Sequence, residues 1–467
     1  MPTPTAARIR WPRRARIPRP PRQRRRSAEG GFEVPTARPA SARAGGRAAQ
    51  AAFGGAVGRG GRRIAVALAV GAFAAAWAWA AHALWRSSVP AGLNPPHLHA
   101  SRYFSASFLS RSSSFERFQD IDGLLATLTL LGVLSLYARR GHRLMGESAA
   151  GRIGTGMLLG MLGFALVWLA EFPFGLAAVW WQRRHHISHQ GYVTWALDSF
   201  LSLGASFLFV SLALLVAMGL AGVLRRWWWA VAAPAFVGLA LLSTFLSIYL
   251  IPNVGPLRNR AIAADVAALA RAEDVPGTKV VVQKVARYTT APNAESVGFG
   301  PTRRVILWDT LLNGRFSRKQ VDFVAAHELG HIAHHHQLKR VGWLALFLIP
   351  ASALIALLTR RRGGLARPEA VPVALLVYVA LQLAALPLWN VVSRREETEA
   401  DWSALKATRE PATGRALFER LATTSLDDPA PPAWSYVLYA DHPTLMQRIA
   451  IVEAFARRPA DYNPRSR

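Results

Sequence analysis

Seven long apolar runs separated by arginine-bearing loops decide most of what this chain can become. They cover 64–84, 123–138, 154–181, 200–224, 227–251, 341–358 and 371–392. Most approach or exceed the ~20 residues a helix needs to cross a bilayer. Seven spanning helices is the expectation. The run at 123–138 is short and is entered by Asp120 and Asp122, so six helices with one interfacial segment is the alternative. Trp180, Trp181, Trp227, Trp228 and Trp229 sit at run ends, where indole rings favour the headgroup layer. Two stretches, roughly 252–340 and 393–467, lack this character and are read as soluble.

The rest of the composition narrows the chemistry. None of the 467 residues is cysteine, which excludes disulfides, thiolate zinc sites and cysteine nucleophiles. Any metal must therefore sit on His, Asp or Glu. A net charge of +29 would ordinarily point to nucleic acid, but residues 1–63 hold sixteen arginines against Glu29 and Glu33, a local 16 − 2 = +14. That Pro-, Ala- and Gly-rich tail is disordered by composition. It is read as a solvated extension in preference to a polybasic arm for anionic lipid or nucleic acid. It also lacks the order of a signal peptide, so an upstream mis-start of translation is an open reading.

Within 252–340, an Ala-rich helical pattern precedes strand-like runs at 279–283, 297–300 and 305–308, with GPTRR as the turn between the last two. Ser317 and Gln320 form a capping-box pattern that starts a helix. That helix runs through VDFVAAHELGHIAHHH, so His327 and His331 lie four apart on one face. Two imidazoles so placed can share one ion, and Glu328 can reach a water on it without ligating it. This is the H-E-x-x-H arrangement of zinc peptidases, and the bland reading is a polar surface helix.

The third ligand must come from elsewhere. A metzincin would need glycine at 334 and histidine at 337, where this chain has His334 and Gln337. His335 shares the face of His327 and His331, but three residues on one straight helix surround a tetrahedral ion poorly. His334, His335 and His336 are therefore read as outer neighbours of the metal or as solvent-facing. Downstream, SRREETEAD places Glu397 and Asp401 four apart, one to ligate and one to orient a ligating histidine. Glu396 and Glu399 compete, and spacing does not choose.

LPLWNVVSRREETEAD resembles the P-L-x-N-x-x-S-R-x-x-E-x-x-A-D segment of the integral-membrane zinc endopeptidases that include the type I CAAX prenyl protease and the bacterial heat-shock membrane protease. YFSASFLSRSSSFERF, EFPFGLAAVWWQRRHHISHQ, NAESVGFGPTRRVILWDTLL and DHPTLMQRI resemble family segments in the same order, so the likeness covers roughly 64–455. His185 and His186 depart from the family's aromatic and glycine-containing loop, and the arginine-rich tail has no counterpart.

The resemblance implies a mostly α, polytopic membrane protein. About seven transmembrane helices would enclose a chamber capped by a small α+β, gluzincin-type zinc domain. The five parts would be the tail 1–63, a five-helix bundle 64–251, a metallopeptidase domain 252–340, a transmembrane hairpin 341–392, and a C-terminal catalytic part 393–467. One zinc would sit on His327, His331 and Glu397, with Glu328 as base. Asp401 would fix a histidine tautomer, and Arg448 would pair with Asp401 or a substrate carboxylate. His442 would stabilise an oxyanion, or else only start a helix. Asn293 and Ala294 would hold extended substrate by backbone pairing.

The implied partners are the lipid bilayer and a peptide or membrane-protein substrate, prenylated or plain. CAAX-type processing and membrane-protein quality control fit equally. A peptide-binding scaffold or pseudoprotease is the rival class. Oligomeric state is not legible. Resemblance puts the site in the cell membrane facing the cytoplasm. The arginines at 139, 140, 143, 152, 225, 226 and 360–362 argue the reverse by the positive-inside rule.

Overall fold

A computed structural model describes residues 59–144 and 150–457. Most of the arginine-rich tail therefore lies outside the described residues. The chain divides into two compact units, Met1–Gly71 and Ala72–Arg467; of the first, only the start of one helix is described. Everything below concerns the second unit, apart from the start of that helix.

The apolar runs are helices. Six stretches among the described residues are long and apolar enough to cross a membrane. In order they contain α1 (Arg59–Trp85), α2 (Ala106–Arg140), α3 (Gly151–Arg184), α4 (Tyr192–Leu224) with α5 (Trp228–Leu250), α8 (His336–Thr359) and α9 (Val371–Thr408). The fourth stretch, Tyr192–Leu250, is divided by the turn Arg225–Trp227, so seven helices occupy six spans. The run at 123–138, the doubtful one in sequence, is the second half of a 35-residue helix. Its start is fixed upstream, where Ser105 Oγ accepts from the Phe108 N–H at 3.2 Å.

Large aliphatic side chains face outward along these helices; Leu208 is 76% exposed and Val223 80%. That is the surface hydrocarbon chains cover, and water would penalise it. On the inner faces, Leu134, Leu159, Leu214, Met218, Val371 and Leu375 form one core. Tyr137 crosses it, donating its hydroxyl to the Leu159 carbonyl at 2.7 Å.

The soluble part begins with β1 (Val254–Pro256), α6 (Arg260–Ala272), β2 (Lys279–Gln283), β3 (Ala294–Val297), β4 (Arg304–Trp308) and α7 (Arg318–Ala333). After the membrane hairpin it continues with α10 (Pro411–Ser425), α11 (Ala433–Leu438) and α12 (Leu445–Arg457). The sheet order is β1-β2-β4-β3. β2 and β4 are parallel, and β1 and β3 are antiparallel edges. β3 starts three residues earlier than the apolar run 297–300 suggested. It stops at Val297 because Gly298 turns to φ +73, where an added Cβ would come within 2.6 Å of the Thr302 carbonyl oxygen.

The capping box at α7 forms on both sides. Ser317 Oγ accepts from the Gln320 N–H, and Gln320 Oε1 accepts from the Ser317 N–H. The helix does not run on through the histidines, however. His334 caps it, His335 takes the left-handed conformation at φ 55, and α8 starts at His336.

A buried carboxyl group joins this domain to α9. Glu273, just after α6, accepts from Ser403 Oγ at 2.6 Å, while its other oxygen is buried without a partner. Burial raises its pKa to about 7, against the lowering effects of Ser403, Lys406 and His327. A raised carboxyl pKa means that the fold favours the neutral acid. The stabilisation is complete below the ordinary value near 4.5 and fades as pH rises towards 7. Glu273→Gln should therefore melt like the wild type at pH 4 and above it at pH 8, by up to about 3 kcal/mol of stability. Equal melting at both pH values would contradict this.

Candidate metal and peptide-cleavage site

The helix α7 carries His327, Glu328 and His331 as successive features of its inner face, all buried. α9 crosses it closely because residue 330 is glycine: a Cβ there would meet Ser403 Cβ at 2.8 Å and the Ala400 backbone at 3.3 Å. The crossing brings Glu397 to the two histidines. His331 Nε2 lies 3.1 Å from His327 Nε2, Glu397 Oε2 3.1 Å from His327 Nε2, and Glu397 Oε1 3.4 Å from His331 Nε2. A tetrahedral ion with bonds of ~2.0–2.1 Å separates its ligand atoms by about 3.3 Å. The three residues thus have the spacing, the donor types and the burial that suit zinc.

Each histidine is held from behind. His327 Nδ1 donates to Asp401 Oδ1 at 2.8 Å, which leaves the Nε2 lone pair facing inward. Asp401 is fully buried and is gripped twice by Arg448, Nε to Oδ2 at 2.8 Å and an Nη to Oδ1 at 2.6 Å. Of the two partners open to Arg448 in sequence, it takes the aspartate. Burial by itself lowers the His327 pKa, but Asp401 and Glu397 outweigh it and raise the imidazole to about 10. The cluster therefore favours positive charge at its centre, and a divalent cation answers that by displacing the proton.

The competing acids point elsewhere. Glu396 accepts from Arg340 Nε at 2.7 Å, and Glu399 accepts from Lys339 Nζ at 3.1 Å. The other histidines separate as well. His335 is exposed, His334 lies 3.6 Å from Glu399, and His336 is fully buried behind His331. The role of His336 was not legible in the five-histidine run, because only the break at His335 turns it inward.

A cavity of about 1070 Å³ opens on this cluster and is bordered by Glu328, Asn293, Ala294, His442 and Arg448. His442 Nε2 stands 3.3 Å from Glu397 Oε2, with Nδ1 donating to Asp441 Oδ1 at 2.7 Å. Burial lowers the His442 pKa, and Glu397 and Asp441 more than reverse that. β3 borders the same cavity with its unpaired edge. Asn293 and Glu295 face β4, as the Trp308 N–H to Asn293 carbonyl bond at 3.0 Å fixes. The polar backbone groups of Ala294 and Ser296 consequently face outward. Gln337 already donates to the Ser296 carbonyl at 2.7 Å, which leaves Ala294 as the open rung.

Comparison with known proteins gives the same direction. Residues 256–456 match the model of peptidase family M48. The metalloprotease YhfN of Bacillus subtilis is 28% identical over 289 residues, 59% of this chain and 68% of that protein. CAAX prenyl protease 1 of Saccharomyces cerevisiae is 23% identical over 256 residues, 48% of this chain and 55% of its own length. This chain thus spans only about half of that curated relative. The crystal structure of Ste24p from S. mikatae superposes with a TM-score of 0.61 at 17% identity, covering 81% of this chain and 96% of that one.

Proposed function

We propose that this chain is an integral-membrane metalloprotease of the kind in peptidase family M48, an endopeptidase acting on extended peptide segments, with His327, His331 and Glu397 as its zinc ligands. The observation that carries this reading is the convergence of those three side chains on a cavity that also meets an open strand edge. Zinc held there would supply Lewis acidity for the attacking water and the scissile carbonyl.

The remaining chemistry belongs to the side chains. Glu328 takes the proton of the attacking water and delivers it to the leaving amine, so that it ends each cycle as it began. His442, whose hold on a proton is strengthened by its two carboxylate neighbours, donates to the carbonyl oxygen as negative charge develops. Asp401 keeps His327 in one tautomer, and Arg448 keeps Asp401 in place. Ala294, the open rung of β3, aligns the substrate backbone, while Asn293, whose carbonyl is taken by Trp308, is left only its side chain at the cavity; such pairing selects shape and flexibility more than side-chain identity.

The substrate we propose is a flexible peptide or unfolded membrane-protein segment, prenylated or plain. The test is a quenched peptide offered to the detergent-purified chain before chelation, after it, and after zinc return, beside a well-folded protein. Cleavage of the peptide alone, lost to the chelator and restored by zinc, is expected. Equal cleavage of the folded protein would refute access by flexibility, and activity indifferent to chelation would refute the metal chemistry.

We further propose a cell-membrane protein with its site on the cytoplasmic side. A cysteine placed in the loop 139–153 should then react with an impermeant reagent from outside. Protection of that cysteine would reverse the assignment.

A further inference from the structure

The proposed site uses only two of the five histidines in AAHELGHIAHHHQ. His336 is 0% exposed, and both of its ring nitrogens are engaged. Its Nδ1 lies 2.8 Å from His331 Nδ1, and its Nε2 lies 3.0 Å from Glu399 Oε2. Glu399 also meets Lys339 Nζ and accepts the backbone N–H of Ser88, in the segment that follows α1.

A contact between two imidazole nitrogens needs one donor and one acceptor. The ionised Glu399, held by Lys339, can only accept, so it takes the Nε2–H of His336. His336 Nδ1 then carries a lone pair and accepts the Nδ1–H of His331. That leaves the His331 Nε2 lone pair facing His327 and Glu397. The direction of the whole chain of bonds is set from its Glu399 end.

We infer that His336 is a positioning residue for His331: backed by Glu399, it fixes the tautomer and ring orientation of that ligand as Asp401 does for His327. The inference rests on reading His327, His331 and Glu397 as the ligand set. Backbone geometry supports it. On an unbroken helix, residues five apart would point about 140° apart. The left-handed residue His335 ends α7 and folds His336 back onto His331. An apolar residue could fill the same space without burying an imidazole, a carboxylate and most of a lysine beside it, so packing alone does not account for the arrangement.

The experiment uses the full chain in detergent, stripped of metal, with zinc titrated against a chromophoric chelator and the visible spectrum recorded with Co²⁺. His336→Ala should weaken zinc binding by about 10–100-fold and alter the Co²⁺ bands. His336→Asn, whose amide oxygen can accept near the position of Nδ1, should restore most of the affinity. Wild-type affinity and spectrum in His336→Ala would overturn the inference. So would a His336→Asn variant as impaired as the alanine while both melt like the wild type. The predicted pattern in a protein that cuts no peptide would overturn the peptidase reading and leave this inference standing. A wild type that takes up no zinc would overturn the ligand set beneath it.

Discussion

Replacing Glu328 by glutamine is expected to slow hydrolysis of a flexible peptide by about 10²–10⁴-fold while bound zinc stays at the wild-type level. The amide keeps the size and position of the side chain but cannot take a proton from water. Metal content should hold because Glu328 lies outside the trio whose ligand atoms approach within 4.8 Å of one another. Stopped or single-turnover cleavage, paired with metal analysis of the same sample, reads both quantities. Glutamine at a tenth of the wild-type rate or better would remove Glu328 from the role of base. Loss of zinc together with activity would make it a ligand or a structural support instead.

The second large effect concerns Arg448. Asp401 is fully buried and takes its charge compensation from Arg448 and His327. Removing one partner of a buried ion pair leaves an uncompensated charge in a poorly polarisable interior, which typically costs about 3–5 kcal/mol. Arg448→Met, similar in length and packed near Phe418 as the guanidinium now is, should lose stability on that scale. The double variant Asp401→Asn with Arg448→Met should recover part of the loss, because the stranded charge is gone. Thermal melting of the three proteins in one detergent checks this. A double variant less stable than Arg448→Met would mean that the pair does not act through charge compensation.

Some of the site was open to reading in the sequence, and the limits have physical causes. Helical period alone put His327 and His331 on one face, and the structure brings Glu397 to them. Four-residue spacing placed Asp401 one turn beyond Glu397, and the structure sets it against His327. Spacing could not choose among Glu396, Glu397 and Glu399, because that choice depends on how α9 rotates against α7. Gly330 and its contact with Ala400 and Ser403 decide that rotation. The three-residue strand β1 carries too little pattern to register. β3 was displaced because Glu295 and Ser296 look like loop residues, whereas the apolar run after them holds a left-handed glycine. Arginine marked the ends of α2, α3, α4 and α8, where the chain leaves apolar surroundings, but α9 runs on past Arg394 and Arg395 to Thr408 because the soluble part packs around its end.

The helix α9 is one unbroken rod from Val371 to Thr408, apolar at its start and bearing Glu397 and Asp401 near its end. Glu397 lies 397 − 331 = 66 positions after His331, and most of the residues between them are in lipid-length helices. The cleavage centre is therefore a seam and not a cassette. No contiguous soluble fragment contains all three proposed ligands, so the domain cannot be excised, transplanted or shed from the bilayer with its chemistry intact.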